Sequence, residues 1–320
     1  MISIVSELCV LAALAGASPV VNDDPQVLLE RMAYAVEHLS YEGTFVHIIQ
    51  DHKAETMRII HKVEDGHVTE RLISLDGSGR EIIRNGDEVR CVLEGEKSVV
   101  VDSHQQSPLL ASLPRQRDGL EDHYRFQLTG AERVANRDTQ IIEVRPLDEY
   151  RYGHRLWLDQ STGLPLRSAL IDNNGDIVEQ VLFTSISVDK SISDDELKPS
   201  LAAGEGYRWF VEEGGEHEAA AAEAASWQAE NLPRGFKLTV ASSENGETTT
   251  RQHYVYTDGL ASVSVFVERV ADDAPPMDGL STIGSANAYA TTIDGYQVTA
   301  VGEVPPSTVE MIGASLRRRR

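Results

Sequence analysis

Cysteine is nearly missing from this chain: 320 residues hold only Cys9 and Cys91. No disulfide framework follows, and Cys91 is expected as a free buried thiol. Basic residues are scarce as well, 29 Lys and Arg against 51 Asp and Glu, for a formal net charge of -22. That balance disfavours non-specific nucleic-acid binding and adhesion to anionic membranes, because both need cations facing phosphate. The exception is Arg317–Arg320. It reads first as a solvated terminus and second as a contact for a membrane surface or an acidic partner. No apolar run reaches the roughly 20 residues needed to span a bilayer. Leu8–Val21 comes nearest and ends in small residues that include Ala15-Gly16-Ala17, so residues 1–22 read as a secretory signal, despite a Met1–Glu7 stretch without Lys or Arg.

Enzymatic signatures are missing too. There is no Gly-rich phosphate loop, no H-E-x-x-H and no G-x-S-x-G; Gly77-Ser78-Gly79 lacks the spacing and sits in a turn. Carboxylates are so frequent that no pair stands out as an acid–base couple. Ten histidines are scattered. His47 and His61 are candidate cross-strand neighbours that would need Glu55 or Glu70 to hold a metal, and surface histidines on a sheet are the simpler account. Asp172–Asp176 (DNNGD) lacks the spacing and closing Glu of a calcium loop, so it reads as a hairpin turn. No catalysis, metal or cofactor is expected. Binding remains.

What is present is strand punctuation. Asp24 and Pro25 open a helix, with Leu28, Leu29, Met32, Ala33, Val36 and Leu39 as its apolar stripe. From Tyr41 the period changes to two. Strand-like runs at Thr44–Gln50, Thr56–Val63, His67–Leu75, Arg80–Arg84, Glu88–Leu93 and Ser98–Asp102 are separated by Gly-containing turns, which predicts an antiparallel meander. Further strands are expected at Arg125–Leu128, Arg133–Ala135 and Gln140–Pro146, then hairpins through Arg155–Ile186. Several strands are apolar on both faces. Phe45, Val46 and Ile48, with Leu109, Leu110 and Leu113 of the Gln105–Gly119 loop, are the candidate surface for an acyl chain or extended peptide. Residues 23–200 form the first predicted domain. Residues 201–225 are the linker, although Tyr207, Trp209 and Phe210 suit a docked short strand. Residues 226–320 form a smaller second domain, where Pro305-Pro306 start a helix carrying Val309, Ile312 and Leu316. Val263, Val265 and Val267 mark a buried strand face. Phe266 points the other way, and Arg251 and Arg269 are rare cations in this domain, so these three are the candidate partner-binding residues.

Two segments carry a resemblance to a known family: Tyr150–Thr184 (YRYGHRLWLDQSTGLPLRSALIDNNGDIVEQVLFT), and Tyr254–Val267 (YVYTDGLASVSVFV) followed by Val298–Pro306 (VTAVGEVPP). Each is a hairpin signal, with Asp258-Gly259 the strongest. Together they resemble the MucB/RseB family, from about Pro25 to about Leu316. The resemblance implies an α+β architecture: an N-terminal antiparallel half-barrel wrapped on a helix, like lipoprotein carriers, plus a smaller C-terminal α+β domain. It also implies a periplasmic protein that binds the periplasmic region of a membrane-anchored anti-sigma factor, shields it from regulated proteolysis, and releases it when lipopolysaccharide or an acyl lipid signals. A plain lipid or lipoprotein carrier is the alternative. A homo-oligomer is neither expected nor excluded.

Overall fold

The protein is described by a computed structural model that covers residues 24–50, 54–86, 88–102, 119–200, 206–212, 225–245, 250–270 and 277–319. It is mostly β-sheet with few helices. Helix α1 (Pro25–His38) starts as its sequence dictates: the Asp24 carboxylate accepts from the Gln26 amide at 3.0 Å and proline fills the first turn. It buries Leu28, Leu29, Met32, Ala35 and Val36, so Ala35 takes the place expected for Ala33.

The meander follows as β1 (Tyr41–Ile49), β2 (Glu55–Glu64), β3 (His67–Ser74), β4 (Arg80–Asn85), β5 (Glu88–Leu93) and β6 (Ser98–Asp102). A second run comprises β7 (Tyr124–Val134), β8 (Arg137–Pro146), β9 (Gly153–Asp159), β10 (Pro165–Ile171) and β11 (Ile177–Val188). With β12 (Arg208–Glu212) they form one 12-stranded sheet, ordered β12-β6-β5-β4-β3-β2-β1-β11-β10-β9-β8-β7. Pairing is antiparallel except for β12, which runs parallel to β6. The expected linker thus contains a strand that extends the first sheet. The separate strand expected at Arg133–Ala135 is instead the end of one long β7. Ala135 and Asn136, both at positive φ (48° and 65°), make the turn into β8 without a glycine to announce it.

Directly paired residues share a face of the sheet. One face carries Tyr41, Gly43 and Phe45 of β1 and receives α1; its core includes Met32, Ile59, Leu72, Ile142, Leu156 and Phe183. Gly43 is required there: a Cβ would lie 2.6 Å from the Ser185 carbonyl oxygen and 2.8 Å from the Phe183 ring. The other face is covered over β2 to β4 by the segment around a short 3-10 turn at Asp194–Leu197, which brings Ile192 and Leu197 onto Ile60.

The second unit contains β13 (Trp227–Ala229), β14 (Lys237–Asn245), β15 (Thr250–Thr257), β16 (Ser262–Arg269), β17 (Gly279–Ile283), β18 (Ala286–Ile293), β19 (Tyr296–Gly302), α2 (Pro306–Ala314) and β20 (Leu316–Arg318). Its six-stranded sheet is ordered β14-β15-β16-β19-β18-β17, and β13 pairs with β20. As expected, Val263, Val265 and Val267 are fully buried; they form a core with Val309 and Ile312 of α2. Leu316 departs from its expected helix: α2 ends at Ala314 and Leu316 enters β20, still completely buried.

Candidate functional site

The two segments singled out by their hairpin signals meet. The turn between β15 and β16 places Asp258 against the first unit, and its two carboxylate oxygens do different work. Oδ1 accepts from the Leu260 and Ala261 amides at 2.9 and 2.8 Å, which shapes the turn. Oδ2 accepts from Arg151 Nε at 2.5 Å and from the Tyr124 hydroxyl at 3.0 Å. Both side chains of the Arg151–Asp258 pair are fully buried. Arg151 also donates to Asp148 and to the Arg234 carbonyl, and it lies 5.0 Å over the Phe236 ring. Every donor of a buried guanidinium needs such partners. Burial, followed by the Asp258 charge, pushes the Tyr124 hydroxyl well above its ordinary range, so it stays a donor.

The residues flanking Arg151 reach the same unit. The Tyr150 carbonyl accepts from Thr308 Oγ1 at 2.8 Å, and the Tyr152 hydroxyl accepts from Asn287 Nδ2 at 3.0 Å. Close approach is built in by glycine: Gly235 has φ 89°, and a Cβ there would lie 2.1 Å from His123 Nε2. Leu260 packs on the first core. The run Tyr150-Arg151-Tyr152 is therefore a clamp on the second unit. Sequence reasoning quoted these residues but gave them no role; a lone arginine between two tyrosines, with an aspartate in a distant turn, was the available signal.

Beside the clamp lies a cavity of about 280 Å³, lined by Tyr152, His154 and Leu170 of the first unit and by Leu260, Ser264 and Glu303 among others of the second. Burial holds the His154 imidazole down to about 4, so it is neutral at pH 7. A polar cluster carries acid from both units. His47 Nε2 meets Glu179 Oε1 at 2.6 Å, and Ser285 Oγ donates to Glu303 at 2.7 Å. Burial and then the Glu179 charge push the Glu303 carboxyl up. Burial opposes ionisation of Glu179 too, yet hydrogen bonds led by His47 hold it below the ordinary range.

Two of the three expected partner-binding residues come together on the face of β15 and β16 that looks away from α2. Arg251 lies 4.4 Å over the Phe266 ring, which stacks on His253 at 4.5 Å. Arg251 also pairs with Glu268 at 2.8 Å, so its charge is already partnered. Arg269 is exposed at the end of β16, and no ion pair reaches it among the described residues.

The expected acyl surface is not assembled from its six residues. Phe45 is buried in the core against Phe183 at 5.6 Å. Val46 and Ile48 point to the opposite face, as strand alternation requires; Val46 pairs with Leu182, in a row that continues to Arg167 and Trp157. Leu109, Leu110 and Leu113 lie outside the described residues. A different row opens on the α1 side: Ile59, Leu72, Ile82, Cys91, Val100 and Phe210 are in direct cross-strand register. Ile59 and Leu72 are sealed, Ile82, Cys91 and Val100 are half-buried, and Phe210 is 49% exposed. This apolar trough was missed because its members sit in six different strands. His47 and His61 are not cross-strand neighbours either: His61 faces Tyr41, and His47 faces Glu55. Among the described residues no cluster of His, Cys, Asp or Glu could hold a metal.

Models of the MucB/RseB N-terminal domain and the MucB/RseB C-terminal domain match residues 24–201 and 221–317. The chain belongs to the MucB/RseB family. It is 33% identical over 319 residues to the sigma factor AlgU regulatory protein MucB of Pseudomonas aeruginosa, covering 98% of this chain and 96% of that one. It is 29% identical to the sigma-E factor regulatory protein RseB of Salmonella typhimurium, covering 99% and 96%. A crystal structure of MucB in complex with MucA(peri) superposes with a TM-score of 0.72 at 30% identity, covering 93% of this chain and 100% of that one. These MucB/RseB relatives are regulatory proteins.

Proposed function

We propose that this chain is a periplasmic, non-enzymatic regulator that binds the periplasmic part of a membrane-anchored anti-sigma factor and protects it from regulated proteolysis. A lipid or lipopolysaccharide signal releases it. In this reading residues 23–200 are a half-barrel of the lipoprotein-carrier type and residues 226–320 are the partner-gripping domain. The observation that carries it is the clamp: Tyr150-Arg151-Tyr152 holds the second unit while a cavity stays open beside it. A partner segment seated in that cavity and running out over Phe266, Arg251 and Arg269 touches both units at once. A ligand that favours a different arrangement of the units then lowers partner affinity by linkage. The acyl chain belongs in the trough of Ile82, Val100 and Phe210. A plain carrier leaves the buried Arg151–Asp258 pair without a task.

The test is calorimetric binding of the full chain to the purified periplasmic segment of the anti-sigma factor from the same genome. Phe266→Ala, which removes an aromatic anchor, is expected to weaken binding tenfold or more, while Tyr34→Ala on the exposed side of α1 leaves it unchanged. Wild-type protein that does not bind, or Phe266→Ala with undiminished affinity, overturns the reading.

A further inference from the structure

The arginines that close the sequence take no part in the clamp, the cavity or the trough. Residues 226–320 hold Arg234, Lys237, Arg251 and Arg269 as their only cations outside Arg317–Arg320, so four consecutive positions supply half of that unit's positive charge. Of the expected solvated terminus, Arg317–Arg319 are instead built into the fold, and Arg320 lies outside the described residues. Arg317 and Arg318 lie in β20, paired with Gln228 and Trp227 of β13, and the Arg319 amide donates to the Ser226 carbonyl at 2.8 Å. Their side chains are exposed yet tethered. Arg318 sits 5.9 Å over the Tyr296 ring, Arg319 Nε donates to Gln228 at 3.0 Å, and Arg317 Nη1 donates to the Ala314 carbonyl at 3.0 Å. Among the described residues, the exposed Glu230 carboxylate lies 4.0 Å from Arg317.

We propose that this two-stranded ribbon docks the second unit on a membrane surface by taking the headgroups of anionic phospholipids. The chain carries a formal charge of -22, so an anionic bilayer repels it at large and attracts it at this patch, which fixes an orientation as well as a contact. Arg317 and Arg319 share the Gln228 side of the ribbon and Arg318 lies at its edge over Tyr296. Tethered in this way, their guanidiniums lose little freedom on binding, and each presents donors suited to phosphate. An acidic peptide fits less well. Such partners need an apolar anchor beside the charge, and the ribbon's apolar residues, Leu316 and Trp227, are sealed at 0% and 1% exposure.

The experiment is co-sedimentation of the full chain with vesicles at low salt, comparing phosphatidylcholine alone with the same lipid containing about 30% phosphatidylglycerol. Wild-type protein is expected on the anionic vesicles only, with binding lost as salt rises. Each arginine near the surface is worth roughly fivefold in affinity. Arg317→Gln/Arg318→Gln/Arg319→Gln should therefore lower binding about a hundredfold. Because Arg318 packs on Tyr296, the pair Arg317→Gln/Arg319→Gln serves as the variant that spares the fold, with a loss of at least tenfold. Lys237→Gln/Arg251→Gln removes equal charge elsewhere and should change binding far less. Wild type that ignores anionic vesicles, equal binding to neutral ones, or equal loss in the control pair overturns the proposal. So does capture of the ribbon by poly-glutamate without vesicle binding, which favours an acidic peptide.

Discussion

Asp258→Asn is the most informative perturbation of this molecule. The amide keeps an acceptor for the Leu260 and Ala261 amides, so the turn survives, while the charge facing Arg151 is lost. Deleting one partner of a fully buried ion pair costs about 3–5 kcal/mol, because the remaining charge is stranded away from water. Arg151 retains Asp148 and the Arg234 carbonyl, which puts the cost near the lower end, about 3 kcal/mol. Asp258→Ala also uncaps the turn and adds about 1 kcal/mol. The two cores share few side chains, so the loss falls on the contact between units rather than on either core. A penalty of about 3 kcal/mol shifts the ratio of closed to open molecules by roughly a hundredfold. Urea unfolding followed by tryptophan fluorescence, with Trp157 reporting the first unit and Trp227 the second, should show one transition dividing into two. Small-angle scattering should show a larger radius before either unit unfolds. A double-mutant cycle with Arg151→Met should give a coupling of about 2 kcal/mol. If Asp258→Asn loses less than about 0.5 kcal/mol, or the two substitutions simply add, the clamp is not what joins the units.

Gly43→Ala should destabilise the first unit by about 1–3 kcal/mol in a urea melt, because its methyl group has to displace Phe183 or the Ser185 carbonyl; an unchanged midpoint refutes that packing. Two buried groups should tilt stability against pH in opposite directions. His154 is depressed from 6.5 to about 4, so the unfolded chain takes up its proton first and stability falls as pH drops below 6.5. Glu303 is raised, so its contribution is complete below the ordinary 4.5 and is lost as pH climbs through the raised value. Thermal melts across pH should lose the His154 contribution in His154→Gln and the opposing Glu303 contribution in Glu303→Gln; a profile untouched by either variant refutes the assignment.

Much of the fold was legible because its turns are written in glycine. The predicted limits Glu88–Leu93 and Ser98–Asp102 are those of β5 and β6, and α1 begins where Asp24 and Pro25 place it. Gly130 misled in the other direction: it marks a bulge inside β7 and not a turn, so one long strand was divided in two. β17 was overlooked, since all five of its residues are exposed and show no apolar alternation. The site was less legible for a physical reason. Period-two patterning says which residues share a face of one strand, and that separated Phe266 from Val263, Val265 and Val267 correctly. It does not say which strands are neighbours. The trough needs six strands in register, and the clamp joins positions more than a hundred residues apart.

The division of labour within Asp258 sets how this molecule can vary over descent. One oxygen serves the hairpin and the other serves the neighbouring unit, so asparagine satisfies the local need and fails the distant one. Arginine at 151 becomes a liability the moment that acid is lost, since nothing else in the joint carries its charge as deeply. The two positions are therefore tied through three-dimensional contact, and lineages that abandon the acid should abandon the arginine with it.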